Sequence, residues 1–142
     1  MQCQADIQAL ADVKLKEAEC LFNNGFYNGA YYLGGYAVEL LLKAKVCKTL
    51  KIDDFFASKG SKPGKPEMYK QFRVHDYTQL LILSGIYPDF EAELANVAFK
   101  KHWSLVSAWN EGTRYLTEKT STDAQDFLTS LNEIVTWIKK HL

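Results

Sequence analysis

Neither sign of charge is in excess in this chain: across 142 residues, 17 Lys and Arg face 17 Asp and Glu, and the formal net charge is zero. Strong nucleic-acid binding driven by the molecule as a whole is disfavoured, because neutralising phosphates needs a basic surplus. A membrane-length apolar run is also missing. The greasiest stretch, Tyr31 to Leu42, is cut by Gly34, Gly35 and Glu39, so no span is expected. Asp6, Asp12, Glu17 and Glu19 occupy the first twenty residues where a leader would carry its apolar core, and a cytoplasmic protein without a signal peptide is expected. Cysteine is scarce. Cys3, Cys20 and Cys47 form no close pair, which excludes a disulfide framework and makes Cys20 and Cys47 small buried hydrophobes. His75, His102 and His141 are scattered, no C-x-x-C or H-E-x-x-H occurs, and no metal site is expected. Gly-rich phosphate loops and nucleophile elbows are missing as well.

What is present is helical periodicity. Ile7, Leu10, Ala11, Leu15, Ala18, Leu21 and Phe22 step by threes and fours, opposite Gln8, Asp12, Lys16, Glu19 and Asn23. Asn24-Gly25 supplies a stop. A second helix from about Asn28 to Leu50 has an apolar stripe of Ala30, Leu33, Ala37, Leu41, Ala44 and Cys47. Tyr32, Tyr36, Leu40 and Leu42 widen it around most of the circumference, the mark of a central helix and of a surface for dimerisation. Gly34-Gly35 costs that helix about 1 kcal/mol per glycine, a cost consistent with close approach of another element.

From Lys51 to Gln71 the pattern breaks, and Ser58 to Pro66 reads as an exposed loop carrying Lys59, Lys62 and Lys65. A short helix is expected over Asp76 to Leu83, then a long fourth helix from Phe90 to Trp109 ended by Asn110-Glu111-Gly112. Thr122 and Gln125 offer a capping box for a last helix that buries Ala124, Phe127, Leu128, Leu131, Ile134, Val135 and Ile138. The expected fold is a single all-α domain over residues 1–142, an up-and-down bundle of four long helices and one short one. Glu39, inside the greasy helix, needs a compensating donor: Lys43 one turn on, Arg73 or Arg114.

The stretch from Asn24 to Ala44, NGFYNGAYYLGGYAVELLLKA, is the most distinctive text. It resembles the second-helix signature of the HEPN family (higher eukaryotes and prokaryotes nucleotide-binding domain), G-x-Y-x-x-A-Y-x-x-G-Y-A-V-E-x-x-L-K-A. His75-Asp76-Tyr77 followed by Leu80-Leu81 resembles the family's H-D-L-x-x-L, and Arg114-Tyr115 resembles an Arg-Tyr of small prokaryotic members. The resemblance implies a small helical bundle, usually a homodimer, in a family that includes metal-independent ribonucleases of toxin and phage-defence systems, partners of minimal nucleotidyltransferases, and proposed nucleotide binders. Its ribonuclease branch carries R-x(4–6)-H. Here the positions after Arg114 are Lys119, Thr120 and Ser121, and those after Arg73 are Thr78, Gln79 and Leu80, so the histidine is missing from both.

Metal-free RNA cleavage needs a base for the 2′-hydroxyl and a cation for the phosphorane charge. Without the motif, the resemblance points first to a non-catalytic module that dimerises and binds a protein partner, such as a nucleotidyltransferase in a toxin-antitoxin-like pair. A nucleotide- or RNA-binding protein comes second, and a ribonuclease with a non-standard site, His102 being its base, third. Glu39, Lys43, His75, Arg114 and Tyr115 are the candidate ligand-binding residues, with no catalytic residue, metal or cofactor expected. Tyr27, Tyr31, Tyr32 and Tyr36 can stack on bases, but their spacing fits packing better.

Overall fold

The computed structural model describes residues 4–52, Phe55 and 70–142, and among these every regular element is helical. The elements are α1 (Gln4–Asn23), α2 (Tyr27–Leu50), α3 (Tyr77–Ser84), α4 (Tyr87–Glu93), α5 (Val97–Val106), a 3₁₀ turn (Glu111–Tyr115) and α6 (Ser121–Lys139). The expected lysine-bearing loop, Ser58 to Pro66, lies outside the described residues.

α1 and α2 form a hairpin. The turn uses Gly25 at φ 82°, and the Phe26 N–H donates to the Leu21 carbonyl. α2 is the axis of the molecule, flanked by α1, α3, α6 and the 3₁₀ turn. Its apolar girdle is therefore covered by its own chain: Ala37, Val38, Leu40, Leu41, Leu42 and Ala44 are fully buried. Of the residues that widen its stripe, Leu40 and Leu42 are covered inside the bundle, whereas Tyr32 and Tyr36 stay partly exposed. On α6, Ala124, Phe127, Leu131, Ile134, Val135 and Ile138 are buried as expected, whereas Leu128 is only partly covered.

Four expectations need correction. The long fourth helix is two helices. Asn96 interrupts it, because its side chain accepts from the Ala98 and Phe99 N–H groups and caps a new helix. The break lets Phe90 meet Trp103 edge-on at 4.7 Å between centroids. Three long helices, not four, then carry the bundle among the described residues. The segment after Trp109 does not simply stop; it winds into the 3₁₀ turn, capped reciprocally by Asn110 and Thr113. The capping box of the last helix is Thr120 with Asp123, two residues earlier than Thr122 with Gln125. Cys47 is buried, but Cys20 is exposed, since it lies on the outer side of α1 opposite Ile7, Ala11 and Ala18.

The two glycines of α2 serve different neighbours. A Cβ on Gly34 would stand 3.0 Å from Leu128 Cδ2, the flexible end of a side chain on α6. A Cβ on Gly35 would stand 2.2 Å from Trp109 Cδ1, inside the indole. Trp109 lies flat on bare α2 backbone there. Its Nε1–H donates to the Tyr32 carbonyl at 3.1 Å, and beside it the Tyr77 hydroxyl donates to the Gly35 carbonyl at 2.7 Å. The Tyr77 and Trp109 rings stack at 5.4 Å and 12°. Gly35→Ala gains helix propensity but displaces a rigid, buried ring, so it is expected to destabilise the fold by about 2–3 kcal/mol in urea denaturation. Gly34→Ala is expected to cost under half of that, because Leu128 can rotate away.

Candidate polar site on the central helix

Glu39 is 1% exposed, in the middle of the most apolar helix, so its charge must be met. Two partners meet it. Lys43 Nζ, one turn on and itself buried, lies 3.6 Å from Oε2, and His75 Nδ1 lies 2.8 Å from Oε1. Lys43 is therefore the first of the three donors weighed from the sequence, and His75 was not among them. Burial pushes the Lys43 ammonium below its usual value, and Glu39 pulls part of that back. Arg73 lies near enough to Lys43 to repel it, and donates its Nε–H to the Phe55 carbonyl.

His75 owes its position to the segment that enters α3. Asp76 is the N-cap, accepting from the Gln79 N–H at 2.9 Å, so the residue before it is extended across the side of α2. Half of the imidazole is exposed. Its second nitrogen, Nε2, lies 3.4 Å from Glu111 Oε2 on the 3₁₀ turn. The Nδ1 contact is a hydrogen bond, and the Nε2 contact is a longer approach of a second carboxylate. The result is a strap, Lys43–Glu39–His75–Glu111, joining α2, the entrance to α3 and the 3₁₀ turn.

A cleft of about 220 Å³ opens beside it, lined by His75, Asp76, Tyr77, Trp103, Trp109 and Glu111 among others. Tyr77 is buried at the edge of the cleft, and burial holds its hydroxyl well above the usual tyrosine value, with the Glu39 charge adding to the effect. Tyr36 is raised by the same two causes, in the same order.

The other two candidates form a second group. Arg114 and Tyr115 are both exposed, and the guanidinium lies 4.9 Å from the Tyr115 ring centroid. Hydrogen bonding to Tyr115, and more weakly to Tyr32, holds Arg114 above its ordinary value. Tyr32 in turn stacks on Tyr36 at 6.2 Å and on Trp109 at 5.9 Å. The five candidate residues thus fall into a connected triad, the buried Glu39 and Lys43 with the half-exposed His75, and an exposed pair, Arg114 and Tyr115. Glu111, Asp76, Trp103 and Trp109 were missed as neighbours of the site. Only Asp76 had a local signal, its place immediately before a helix.

His102 has a structural bond: its Nδ1 lies 2.9 Å from the buried Ser130 Oγ, tying α5 to α6. Among the described residues no cluster of three or more His, Cys, Asp or Glu side chains is arranged to hold a metal ion. No helix among them is long and apolar enough to cross a membrane. No family model, curated protein or solved structure matches the chain.

Glu39→Gln takes the countercharge from a buried ammonium and is expected to cost about 3 kcal/mol, read by urea denaturation. His75→Ala should cost less, since its half-exposed side is already solvated. Tyr77 gives a separate signature. Unfolded tyrosine ionises near pH 10, whereas folded Tyr77 does not, so its contribution is complete below about pH 10 and is lost as the pH rises above it. Tyr77→Phe is expected to make the alkaline fall in stability shallower, measured as melting temperature between pH 8 and 11.

Proposed function

We propose that this chain is a small HEPN-type module that works by binding rather than by catalysis: a homodimer that docks a protein partner of the minimal nucleotidyltransferase kind, as in a toxin-antitoxin-like pair. The observation that carries this reading is the separation of the two candidate groups. Metal-free RNA cleavage needs a base and a cation at one phosphodiester. The histidine oriented by a buried carboxylate, His75, has its nitrogens opposite Glu39 and Glu111, and Arg114 is engaged with Tyr115 and Tyr32. His102 is committed to Ser130.

What supports an interface is the surface around Arg114. Tyr115 is 75% exposed, Tyr32 and Tyr36 are part-exposed, and Arg114 joins them into one aromatic and cationic patch. Tyr and Arg dominate binding hot spots because they bury large area with a polar end to satisfy. In this reading the two copies meet through this patch. A second reading draws on the same exposed Arg114–Tyr115 stack, which suits a nucleobase and phosphate.

Light scattering at micromolar concentration is expected to give a dimer, and Tyr115→Ala with Arg114→Ala to give a monomer that melts like the parent. A monomeric parent would overturn the dimer. Mixed RNA incubated in EDTA is expected to remain intact. Robust cleavage abolished by both Arg114→Ala and His102→Ala would instead assign a nuclease.

A further inference from the structure

A second hollow lies next to the first, the two sharing Asn110. Two adjoining recesses of about 210 and 240 Å³ share Tyr31, Ala108 and Lys119, and so form one groove. It runs between the end of α5, the segment after the 3₁₀ turn and the first turns of α6. Its lining is mixed, and the apolar part is Leu105, 41% exposed, with Ala108, Leu116 and Phe127, whose ring stacks on Tyr31 at 3.9 Å.

Two residues with donor groups line it side by side. Tyr31 is only 6% exposed, and its hydroxyl has no hydrogen-bond partner among the described residues, which leaves it free for a ligand in the groove. Lys119 Nζ sits 4.3 Å from the centroid of the same ring and forms no ion pair with any described carboxylate. The Lys119 backbone is pinned in place, its N–H donating to Asn28 Oδ1 at 2.9 Å. Burial, and then the charge of Asp123, push the Tyr31 hydroxyl above its usual value, so it remains a proton donor.

The carboxylates that line the groove set the charge limit. Asp123 is turned back onto its own helix end, accepting from the Thr120 N–H at 3.0 Å; those hydrogen bonds, and more weakly Lys119, hold it ionised below the usual range. Asp126 lines the same recess. One negative charge can satisfy the ammonium and the hydroxyl together against the solvent-screened repulsion of the exposed Asp123 and Asp126, whereas a second charge doubles that repulsion with no further donor to offset it. We propose that the groove is a binding site for a single carboxylate carried on an apolar body, held by Lys119 and the Tyr31 hydroxyl while the apolar part lies against Leu105, Ala108 and Leu116. A small apolar acid and the free C-terminus of an apolar peptide share this chemistry.

The test is calorimetric titration of the intact chain with 4-phenylbutyrate, with 4-phenylbutyramide and inorganic phosphate as controls. In parallel runs it takes a short peptide ending in leucine, as the acid and as the amide. At least one carboxylate is expected to bind saturably, and its amide and phosphate about tenfold more weakly or worse. Whichever carboxylate binds tighter names the source, and either supports the site. Tyr31→Phe and Lys119→Met are each expected to weaken binding about tenfold. Because the Tyr31 hydroxyl has no described partner to lose, Tyr31→Phe should melt no lower than the parent, which separates loss of the site from loss of the fold. No saturable carboxylate binding at millimolar concentration, binding that survives both substitutions, or phosphate binding as tightly as carboxylate would overturn the proposal.

Discussion

The contact of the Trp109 indole with the bare backbone of α2 at Gly35 is the constraint on which the rest of the architecture turns. A helix interior rarely offers its carbonyls to an outside donor, because side chains cover them. Here a missing Cβ lets an indole lie flat on the helix, with its N–H on the Tyr32 carbonyl and the Tyr77 hydroxyl on the Gly35 carbonyl. Both donors are satisfied although both rings are buried. The contact brings the end of the α5 segment and the start of α3 to the same point on α2. The 3₁₀ turn follows Trp109 directly, so Glu111 is delivered to the face where His75 emerges.

The strap from Lys43 to Glu111 depends on that delivery. Glu39 and Lys43 are one turn apart, and helix geometry alone makes them neighbours. His75 and Glu111 come from segments far along the chain; His75 reaches Glu39, and Glu111 reaches His75, where Tyr77 and Trp109 seat those segments on α2. The buried carboxylate thus joins two kinds of contact. One is built into α2, and the other reports that the remainder of the bundle has closed over it. Charge burial of this sort adds little net stability when complete and costs much when broken, so it favours one arrangement over its alternatives.

The same packing explains how the functional surface divides. Tyr31, Tyr32 and Tyr36 leave one helix at different angles and end in different environments. Tyr31 turns inward onto Phe127, while Tyr32 bridges Trp109 and Tyr36, close to the exposed Arg114 and Tyr115. One aromatic run therefore serves a core stack, an exposed patch and the floor of a groove.

By itself the sequence determined the helical class, the extents of α1 and α2, the existence of α6, the central place of α2 and the burial of Glu39, with Lys43 as one of three donors. All of these rest on interactions within about four residues, or on periodicity that a single helix displays. Tertiary structure decided the rest. The break at Asn96 was hidden because an asparagine can face solvent on a helix or cap a new one, and the packing of Phe90 against Trp103 accompanies the second choice. The capping box shifted to Thr120 because both threonines suit the role, and the pinning of Lys119 to Asn28 sets where the chain enters α6. Gly34-Gly35 announced a close approach, but not that its partner would be a tryptophan 74 residues away, which no local pattern encodes. His75 looked like a helix entrance and is one. That it also closes on Glu39, and that Arg114 does not join it, follows from where Trp109 is seated, a contact fixed only when distant segments exclude water together.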